Sequence, residues 1–192
     1  MKKLPQILIG LGCLLLIASL ALFVFIFAPV AAVEVNYALN KPKNLEIKPI
    51  DNEFGIVIPK IGANAKIIAE VDPYDSKVYQ FALTKGIAHA KGTAMPNEVG
   101  NMFLFSHSSA NIIDASRYNS VFYLLSKLEK DDEIDVYFKQ KKYKYKVSEI
   151  KIVDAEDVSY LNPRAKSKQL TLMTCWPAGT TYKRLLVIAR EV

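Results

Sequence analysis

The stretch QLTLMTCWPAGTTYKRLLVIAR, residues 169–190, carries most of the information about the fold. Two short apolar runs, Gln169–Thr174 and Leu185–Arg190, flank a polar segment that contains Pro177. Runs of this length, rich in apolar and β-branched residues and bounded by turn residues, are typical of β-strands. We therefore predict two neighbouring strands joined by a loop at 176–183.

Similar short runs recur along the chain from about residue 54 onward. The pattern predicts about eight short strands, two small helices and no helix long enough to cover a parallel sheet, so an all-β antiparallel barrel or sandwich is expected. The other predicted strands are 54–59, 65–68, 101–106, 133–138 and 143–152, the helices are 76–83 and 121–128, and the loops are 85–100 and 111–119.

The N-terminus carries the apolar excess of the chain. Lys2 and Lys3 precede a run from Leu4 to Val33 without one charged residue. Its core, Ile7–Ala28, supplies the roughly 20 apolar residues that a membrane span needs. Positive charge before the span predicts a cytoplasmic N-terminus and an extracytoplasmic remainder. A cleaved signal peptide is the alternative, because residues 29–32 (PVAA) offer small residues for a peptidase.

These observations predict three parts. Residues 1–33 form a signal anchor, residues 34–53 form an extracellular tether that holds two Lys-Pro pairs, and residues 54–192 form one domain with a full core. The tether is followed directly by the first predicted strand, which begins at Phe54.

The charge of the chain says less about function. The net charge is +6, and the lysines between Lys139 and Lys146 alternate with Tyr143 and Tyr145. This period of two favours a half-buried strand with a lysine face over a nucleic-acid surface. We expect no nucleic-acid partner, and attraction to an anionic cell wall or membrane surface is a weaker alternative.

Cysteine usage points to one chemical group. The chain has two cysteines, and Cys13 lies within the apolar span, so Cys175 has no disulfide partner in the domain. Cys175 follows a predicted strand and precedes Trp176-Pro177, where the strand must end. A nucleophile at a strand end is one interpretation, and a buried apolar cysteine is the other.

Two further residues would complete a cysteine-dependent site. His107 follows the apolar strand 101–106, whereas His89 lies in a glycine-rich turn region where a surface histidine is expected, so His107 is the favoured partner. Across the predicted loop, Arg184 would lie beside Cys175 and could stabilise an oxyanion, although a solvated arginine is equally compatible with its position.

Metal and cofactor sites do not emerge from the sequence. No pair of Cys or His has ligand spacing, and no glycine-rich phosphate loop follows a strand. The acidic stretch Glu129–Glu133 is typical of a polar turn, with calcium a remote alternative. We therefore expect no metal and no organic cofactor.

The same residues carry a resemblance to a known family. Thr171–Pro177 followed by Arg184–Val187 resembles the TLxTC…R signature of sortases. Gly100–His107 is similar to the strand of that family that ends in its catalytic histidine. Further segments with the same resemblance are Gly92–Asn101, Ile58–Ile61 and Phe122–Leu128 with Asp132, so that the likeness spans about residues 54 to 192.

The resemblance implies a closed eight-stranded sortase-type β-barrel behind one transmembrane helix. It implies a cysteine transpeptidase in which Cys175 attacks the Thr carbonyl of an LPxTG-like sorting signal, His107 protonates the leaving amine and Arg184 stabilises the oxyanion. The implied partners are secreted proteins with a C-terminal sorting signal, a cell-wall or pilin amine as acceptor, and the membrane.

The resemblance also indicates which class of sortase the chain is most similar to. The tether has no Asp-Pro-Trp-like lid, and no second apolar span follows Arg190, which argues against a pilin-polymerising sortase. No long helix is expected between Lys151 and Gln169, so a class D/E-like or housekeeping-like enzyme is implied. Ser106 and Asp131 stand where many members have glycine, which bears on substrate preference.

Three alternatives stay open. A pilin-polymerising sortase would share the chemistry, and a catalytically silent barrel could act as a surface binding module. A peptidoglycan-crosslinking cysteine enzyme ranks lowest, because it expects glycine before the cysteine, where this chain has Thr174.

Overall fold

A computed structural model describes residues 3–39, 47–108 and 121–192. The chain divides into two compact units, Met1–Asn40 and Lys41–Val192, which we describe separately.

The first unit is a single helix, α1 (Lys3–Leu39). Its segment Ile7–Ala28 is 22 residues long, has a mean hydropathy of 2.9 and is not buried against the rest of the described chain. A helix that is apolar on all sides and unburied has the length and composition to cross a membrane. The helix continues through Glu34 to Leu39, so the first part of the predicted tether is helical.

The second unit is a closed eight-stranded β-barrel, as predicted. The strand order around the barrel is β1-β2-β3-β4-β7-β8-β6-β5, and β5 closes onto β1. The strands are β1 (Phe54–Ile58), β2 (Ala63–Val71), β3 (Ile87–Ala90), β4 (Gly100–Phe105), β5 (Glu133–Phe138), β6 (Lys141–Asp154), β7 (Lys168–Trp176) and β8 (Lys183–Glu191).

The barrel is mixed rather than wholly antiparallel. β2 runs parallel to β3, and β4 runs parallel to β7, while the other neighbouring pairs are antiparallel. The β2–β3 pair needs a crossover connection, which α2 (Ser76–Leu83) provides. This helix has the predicted bounds, and Asp75 caps it by accepting hydrogen bonds from the backbone N–H groups of Lys77 and Val78.

One strand lies where the sequence predicted loop. β3 has four residues, all of them buried, within the segment 85–100. A strand buried on both faces shows no alternation of polar and apolar residues, and this one lies between Gly86 and Gly92, which favoured turns.

The second predicted helix is a 3₁₀ helix, Tyr123–Lys127. Leu125 within this helix and the flanking residues Phe122 and Leu128 are buried and recur every three positions, which fits three residues per turn better than the α-helical period. The predicted loop 111–119 lies outside the described residues.

Alternate residues of β4 and β7 build two apolar layers. Met102 and Leu104 on β4 lie level with Leu170 and Leu172 on β7, and all four are at most 1% exposed inside the barrel. Phe103 and Phe105 point to the other face, where they pack with Leu83 of α2 and with residues of β2 and β3. The outer face of β4 and β7 is therefore partly covered, and the polar residues that follow these strands lie at the end of this covered surface.

Candidate active site

Cys175 and Arg184 are direct neighbours across the β7–β8 ladder. Their Cα atoms are paired in the antiparallel register. Side chains of paired residues lie on the same face with Cβ atoms about 4.5–5.5 Å apart. Both residues are half-buried. The Nη1 atom of Arg184 donates to the carbonyl oxygens of Thr181 (2.9 Å) and Lys183 (3.0 Å), which ties the guanidinium to the backbone at the start of β8.

His107 reaches the same place from β4. The parallel register pairs Phe105 with Met173, and the N–H of Ser106 donates to the Met173 carbonyl at 3.2 Å. The Thr174 hydroxyl donates to the carbonyl oxygen of Ser106 at 2.9 Å, so the contact between the two segments continues one residue beyond the end of β4. Continuing this register by two residues brings His107 level with Cys175, on the same face.

His107 is half-buried, and burial lowers its pKa below the usual value of 6.5. Desolvation disfavours the charged imidazolium, so His107 is neutral at pH 7. A neutral imidazole beside a thiol can accept the thiol proton and then return it to another group.

The other histidine is not brought to this site. His89 on β3 is fully buried, in contrast to the surface position that the sequence predicted. Its Nε2 atom lies 3.0 Å from the Thr93 hydroxyl oxygen and 3.2 Å from the Ala94 carbonyl oxygen. Its Nδ1 atom lies 3.4 Å from the Glu70 N–H. Because Nδ1 accepts from an N–H, the network assigns the proton of this neutral ring to Nε2.

Burial is the largest influence on the pKa of His89 and lowers it, although Ala94 and the nearby carboxylates of Glu70 and Glu98 oppose the shift. A histidine with both ring nitrogens engaged inside the barrel has a structural role. The sequence could not show this, because the four-residue strand that buries His89 has no recognisable pattern.

Sequence reasoning missed two residues, Asn101 and Tyr160, that lie at the outer face of β4 and β7. The Asn101 Nδ2 atom donates to the carbonyl oxygen of Tyr160 at 3.1 Å, and its Oδ1 accepts from the Thr171 hydroxyl at 2.8 Å. These residues border a cavity of about 280 Å³, together with Leu186 and Ile188 of β8. Because β7 and β8 carry both this cavity and the Cys175–Arg184 pair, the cavity and the pair lie along one surface. No sequence signal marked Tyr160, which lies in the irregular segment between β6 and β7.

The two departures from the family pattern have local explanations. Ser106 alternates with Phe105 and His107, so its side chain is directed away from the face that carries Cys175, and it is only 5% exposed. Asp131 has a φ of 72°, in the region that favours glycine and that Asp tolerates. Asp131 therefore fills a backbone requirement of the turn after the 3₁₀ helix.

No group of three or more His, Cys, Asp or Glu side chains able to hold a metal occurs among the described residues. In the acidic stretch 129–133, the Lys60 ammonium lies 2.7 Å from Glu129 and 2.9 Å from Asp132. A lysine therefore already balances the carboxylates for which calcium was the remote alternative.

Comparison with known proteins identifies the family. The sortase domain model matches residues 56–192, which include nearly the whole barrel and all three predicted site residues. The chain belongs to the sortase family.

Individual relatives agree with this assignment. The chain is 29% identical over 138 residues to sortase D of Bacillus subtilis (strain 168), a match that covers 70% of this chain and 61% of that protein. The chain therefore spans less than two thirds of that curated relative.

Solved structures of several sortase types share the fold. Sortase A from Corynebacterium diphtheriae, as a lid mutant, has 27% identity and a TM-score of 0.61, with 81% of this chain and 77% of that chain covered. A sortase D5 transpeptidase of Clostridium perfringens has 28% identity and a TM-score of 0.59, covering 84% and 94%. Sortase C-1 from Actinomyces oris has 26% identity and a TM-score of 0.62, covering 84% and 98%.

Proposed function

We propose that this chain is a membrane-anchored cysteine transpeptidase. It cleaves an LPxTG-like sorting signal through a thioester at Cys175 and transfers the new carboxyl end to an amine of the cell wall. The observation that carries the proposal is the pairing of Cys175 with Arg184 in the β7–β8 ladder. The β4–β7 register, continued two residues beyond its last pair of Phe105 and Met173, supports a place for His107 beside them.

The acylation step follows from this arrangement. Neutral His107 takes the thiol proton, and the Cys175 sulfur attacks the threonine carbonyl carbon. The carbonyl oxygen becomes an oxyanion, which the guanidinium of Arg184 stabilises. As the intermediate collapses, the C–N bond breaks, the protonated His107 donates its proton to the departing glycine amine, and a thioester remains on Cys175.

The transfer step reverses these roles. An incoming amine attacks the thioester carbon, and neutral His107 removes its proton. The new amide bond forms as the C–S bond breaks, and the proton passes from His107 to the Cys175 sulfur. The balance is one amide bond broken and one formed, with no oxidant, metal or external cofactor required.

The domain organisation supports a location of the barrel at the extracytoplasmic face of the cell membrane. We assign α1 to the anchor, residues from its end to residue 53 to the tether, and residues 54–192 to the catalytic domain. The apolar stretch Ile7–Ala28 has the length of a span, and the preceding lysines favour a cytoplasmic N-terminus. This topology would hold the barrel where secreted proteins bearing sorting signals emerge.

The class we propose is D/E-like or housekeeping-like. Between β6 and β7 the described chain has only a 3₁₀ turn, Ser159–Leu161, and no long inserted helix. The pairing of a thiol with an arginine at Cys175 and Arg184 favours an enzyme over a silent binding module, because an apolar docking surface would need neither group. A transfer assay with each candidate amine distinguishes a cell-wall precursor from a pilin as the acceptor.

The test uses the full chain in detergent micelles with a library of fluorogenic peptides that contain Leu-Pro-x-Thr-Gly, with triglycine as the acceptor. We expect cleavage between Thr and Gly, and a triglycine-extended product. Cys175→Ala should reduce kcat/KM by at least about 10³-fold, since the covalent route is lost.

The second cysteine supplies the matched control. Cys13→Ala removes a thiol from α1, far from the reacting atoms in sequence, and should leave kcat/KM within about twofold. Melting temperatures of both variants should stay within about 2 °C of the wild type. Cleavage that persists in Cys175→Ala, or a wild-type chain that cleaves no peptide of the library, would refute the proposed function.

A further inference from the structure

β6 is longer than β5, the strand that lies beside it in the closed barrel. β6 has 14 residues and β5 has six. The ladder between them ends where Glu133 pairs with Lys146, and the turn at residues 131–132 adds two backbone hydrogen bonds to Val147. Beyond Val147, only β8 pairs with β6 among the described residues. Residues 148–152 of β6 therefore form a free strand edge on the side where β5 has ended.

One face of this edge carries exposed apolar side chains. Ile150 and Ile152 are 36% and 52% exposed, although their ladder partners on β8, Val187 and Leu185, are buried. The difference arises because β5 no longer covers β6 at this height. A strand edge with free backbone groups and exposed apolar side chains is a template on which a further strand can pair.

The opposite face of the edge carries two opposite charges. Glu149 and Lys151 are two residues apart in a strand, so their side chains lie on the same face. The Lys151 ammonium lies 3.0 Å from the Glu149 carboxylate, and both side chains are about half exposed. A lysine alone on an edge hinders the pairing of another strand. A glutamate beside it makes the edge complementary to a strand with the two charges in reverse order, and an antiparallel copy of β6 has that order.

The charges select one register between two antiparallel copies. When Ile150 lies opposite Ile150 of the second copy, Glu149 of each copy faces Lys151 of the other, which gives two favourable pairs. Centring the pairing on Glu149 or on Lys151 would place like charges directly opposite each other, which is destabilising. Centring it on Ile152 would give neither charge an opposite partner.

We propose that residues 148–152 of β6 form an interaction surface for a second copy of this chain, which adds its own β6 as an antiparallel strand. The added strand pairs with the backbone groups that β5 leaves free and covers Ile150 and Ile152. It also replaces the ion pair within each copy by two ion pairs between the copies.

The contact is small, so the dimer depends on local concentration. A pair of five-residue edges is smaller than the interfaces of roughly 1,200–2,000 Å² that support stable complexes. Anchoring in one membrane raises the local concentration of the second copy, as linking two binding modules does. We therefore expect a reversible dimer in the membrane and mainly monomers in dilute micelles. The enrichment relies on the membrane anchoring that we propose, whereas the strand pairing does not depend on catalysis.

The test measures disulfide cross-linking of the full chain in phospholipid vesicles. Single cysteines are introduced in a background with Cys13→Ala and Cys175→Ala, and copper phenanthroline oxidises thiols that meet. Ile150→Cys places the two thiols on directly opposed residues, whose Cα atoms are about 4.5–5.5 Å apart, a distance that a disulfide spans. We expect Ile150→Cys to form a disulfide-linked dimer at least about tenfold faster than a cysteine that meets its copy only by random collision.

Two control positions are also exposed. Val78→Cys lies on α2, where Val78 is 45% exposed, and measures the rate of random collision. Ile152→Cys lies on the same edge as Ile150, but the proposed register displaces its two copies by four residues, about 13 Å, which is too far for a disulfide. Both controls should cross-link slowly. A rate for Ile150→Cys no higher than that for Val78→Cys, or a higher rate for Ile152→Cys than for Ile150→Cys, would overturn the proposed pairing.

Exchanging the charges tests the register independently. Added to Ile150→Cys, Lys151→Glu places like charges opposite each other and should slow cross-linking about 3- to 10-fold. Combining it with Glu149→Lys recreates the opposite pairs and should return the rate to within about twofold. Equal rates in all three variants, at melting temperatures within about 2 °C of one another, would overturn the proposal. Peptide cleavage is measured separately on chains that keep Cys175, so loss of the dimer and loss of the proposed function are distinguishable.

Discussion

The two histidines of this domain differ in burial: His89 lies within β3, whereas His107 follows the end of the neighbouring strand β4. His89 on β3 is fully buried, and both of its ring nitrogens contact polar atoms of the barrel. His107 follows the end of β4 and is half-buried, and our proposal places it level with Cys175 by continuing the β4–β7 register two residues beyond Phe105 and Met173. Burial lowers the pKa of both.

The difference shows what makes a histidine available for chemistry. His89 has its hydrogen-bonding capacity taken up by Thr93, Ala94 and Glu70, so a proton on Nδ1 would displace a structural contact. His107 stands at the end of a strand, where the chain leaves the sheet and a substrate can approach. Lowered pKa values alone do not separate the two proposed roles, whereas the positions of the two residues in the barrel do.

The largest expected effect comes from exchanging each histidine for glutamine. His107→Gln removes the group that moves protons and should lower kcat/KM for peptide cleavage about 10²- to 10⁴-fold, with little change in melting temperature. His89→Gln should leave kcat/KM of the folded enzyme within a few-fold. Steady-state kinetics on both variants measures the contrast, and a larger loss in His89→Gln than in His107→Gln would reverse our assignment.

Arg184 should give the next largest effect on catalysis. Arg184→Ala removes the cation beside Cys175 and should lower kcat by about 10²- to 10³-fold. Arg184→Lys keeps the charge but replaces the planar guanidinium by a compact ammonium, so only part of the activity should return. If Arg184→Ala had an activity close to that of the wild type, Arg184 would not be the residue that stabilises the oxyanion.

The stability of the barrel should depend on His89. His89→Leu leaves the Thr93 hydroxyl and the Glu70 N–H without their buried partner, which should lower the free energy of unfolding by about 1–3 kcal/mol. Chemical denaturation followed by Trp176 fluorescence measures this loss. His107→Leu, at a half-buried position, should cost less, and equal losses would remove the structural distinction between the two residues.

The smallest expected effect is on the pH dependence of stability. Because both folded-state pKa values lie below 6.5, the unfolded chain binds protons first as the pH falls. These two groups therefore stabilise the fold fully above pH 6.5 and progressively less as the pH falls below it. We expect the melting temperature to decrease between pH 7.5 and pH 5.5, with a smaller decrease in His89→Gln. A decrease unaffected by either substitution would assign the effect to other groups.

Much of the barrel was predictable because its signals are local. The strand Glu133–Phe138 and the helix Ser76–Leu83 have the bounds that alternation and helical spacing predicted. The proximity of Cys175 to Arg184 was also predictable, since a hairpin joins residues that are close in sequence. The choice of His107 over His89 was made from its place after an apolar strand, and the family resemblance added the closure of the barrel.

Other features could not be predicted because they depend on distant pairings. The β4–β7 pairing joins residues that are far apart in sequence, and only that register brings His107 level with Cys175. The burial of His89 requires β3 to lie between β2 and β4, and its four residues give no periodic signal.

The sequence by itself determined the apolar helix, most of the strands and the reactive residue types, because periodicity and composition reflect local burial. The tertiary structure alone decided that His89 is enclosed in the barrel, where the sequence predicted a surface position. It also decided where the turn at Tyr160 lies, since Asn101 on a distant strand binds its backbone. Such contacts arise from the order and register of strands, which the closed barrel sets as a whole.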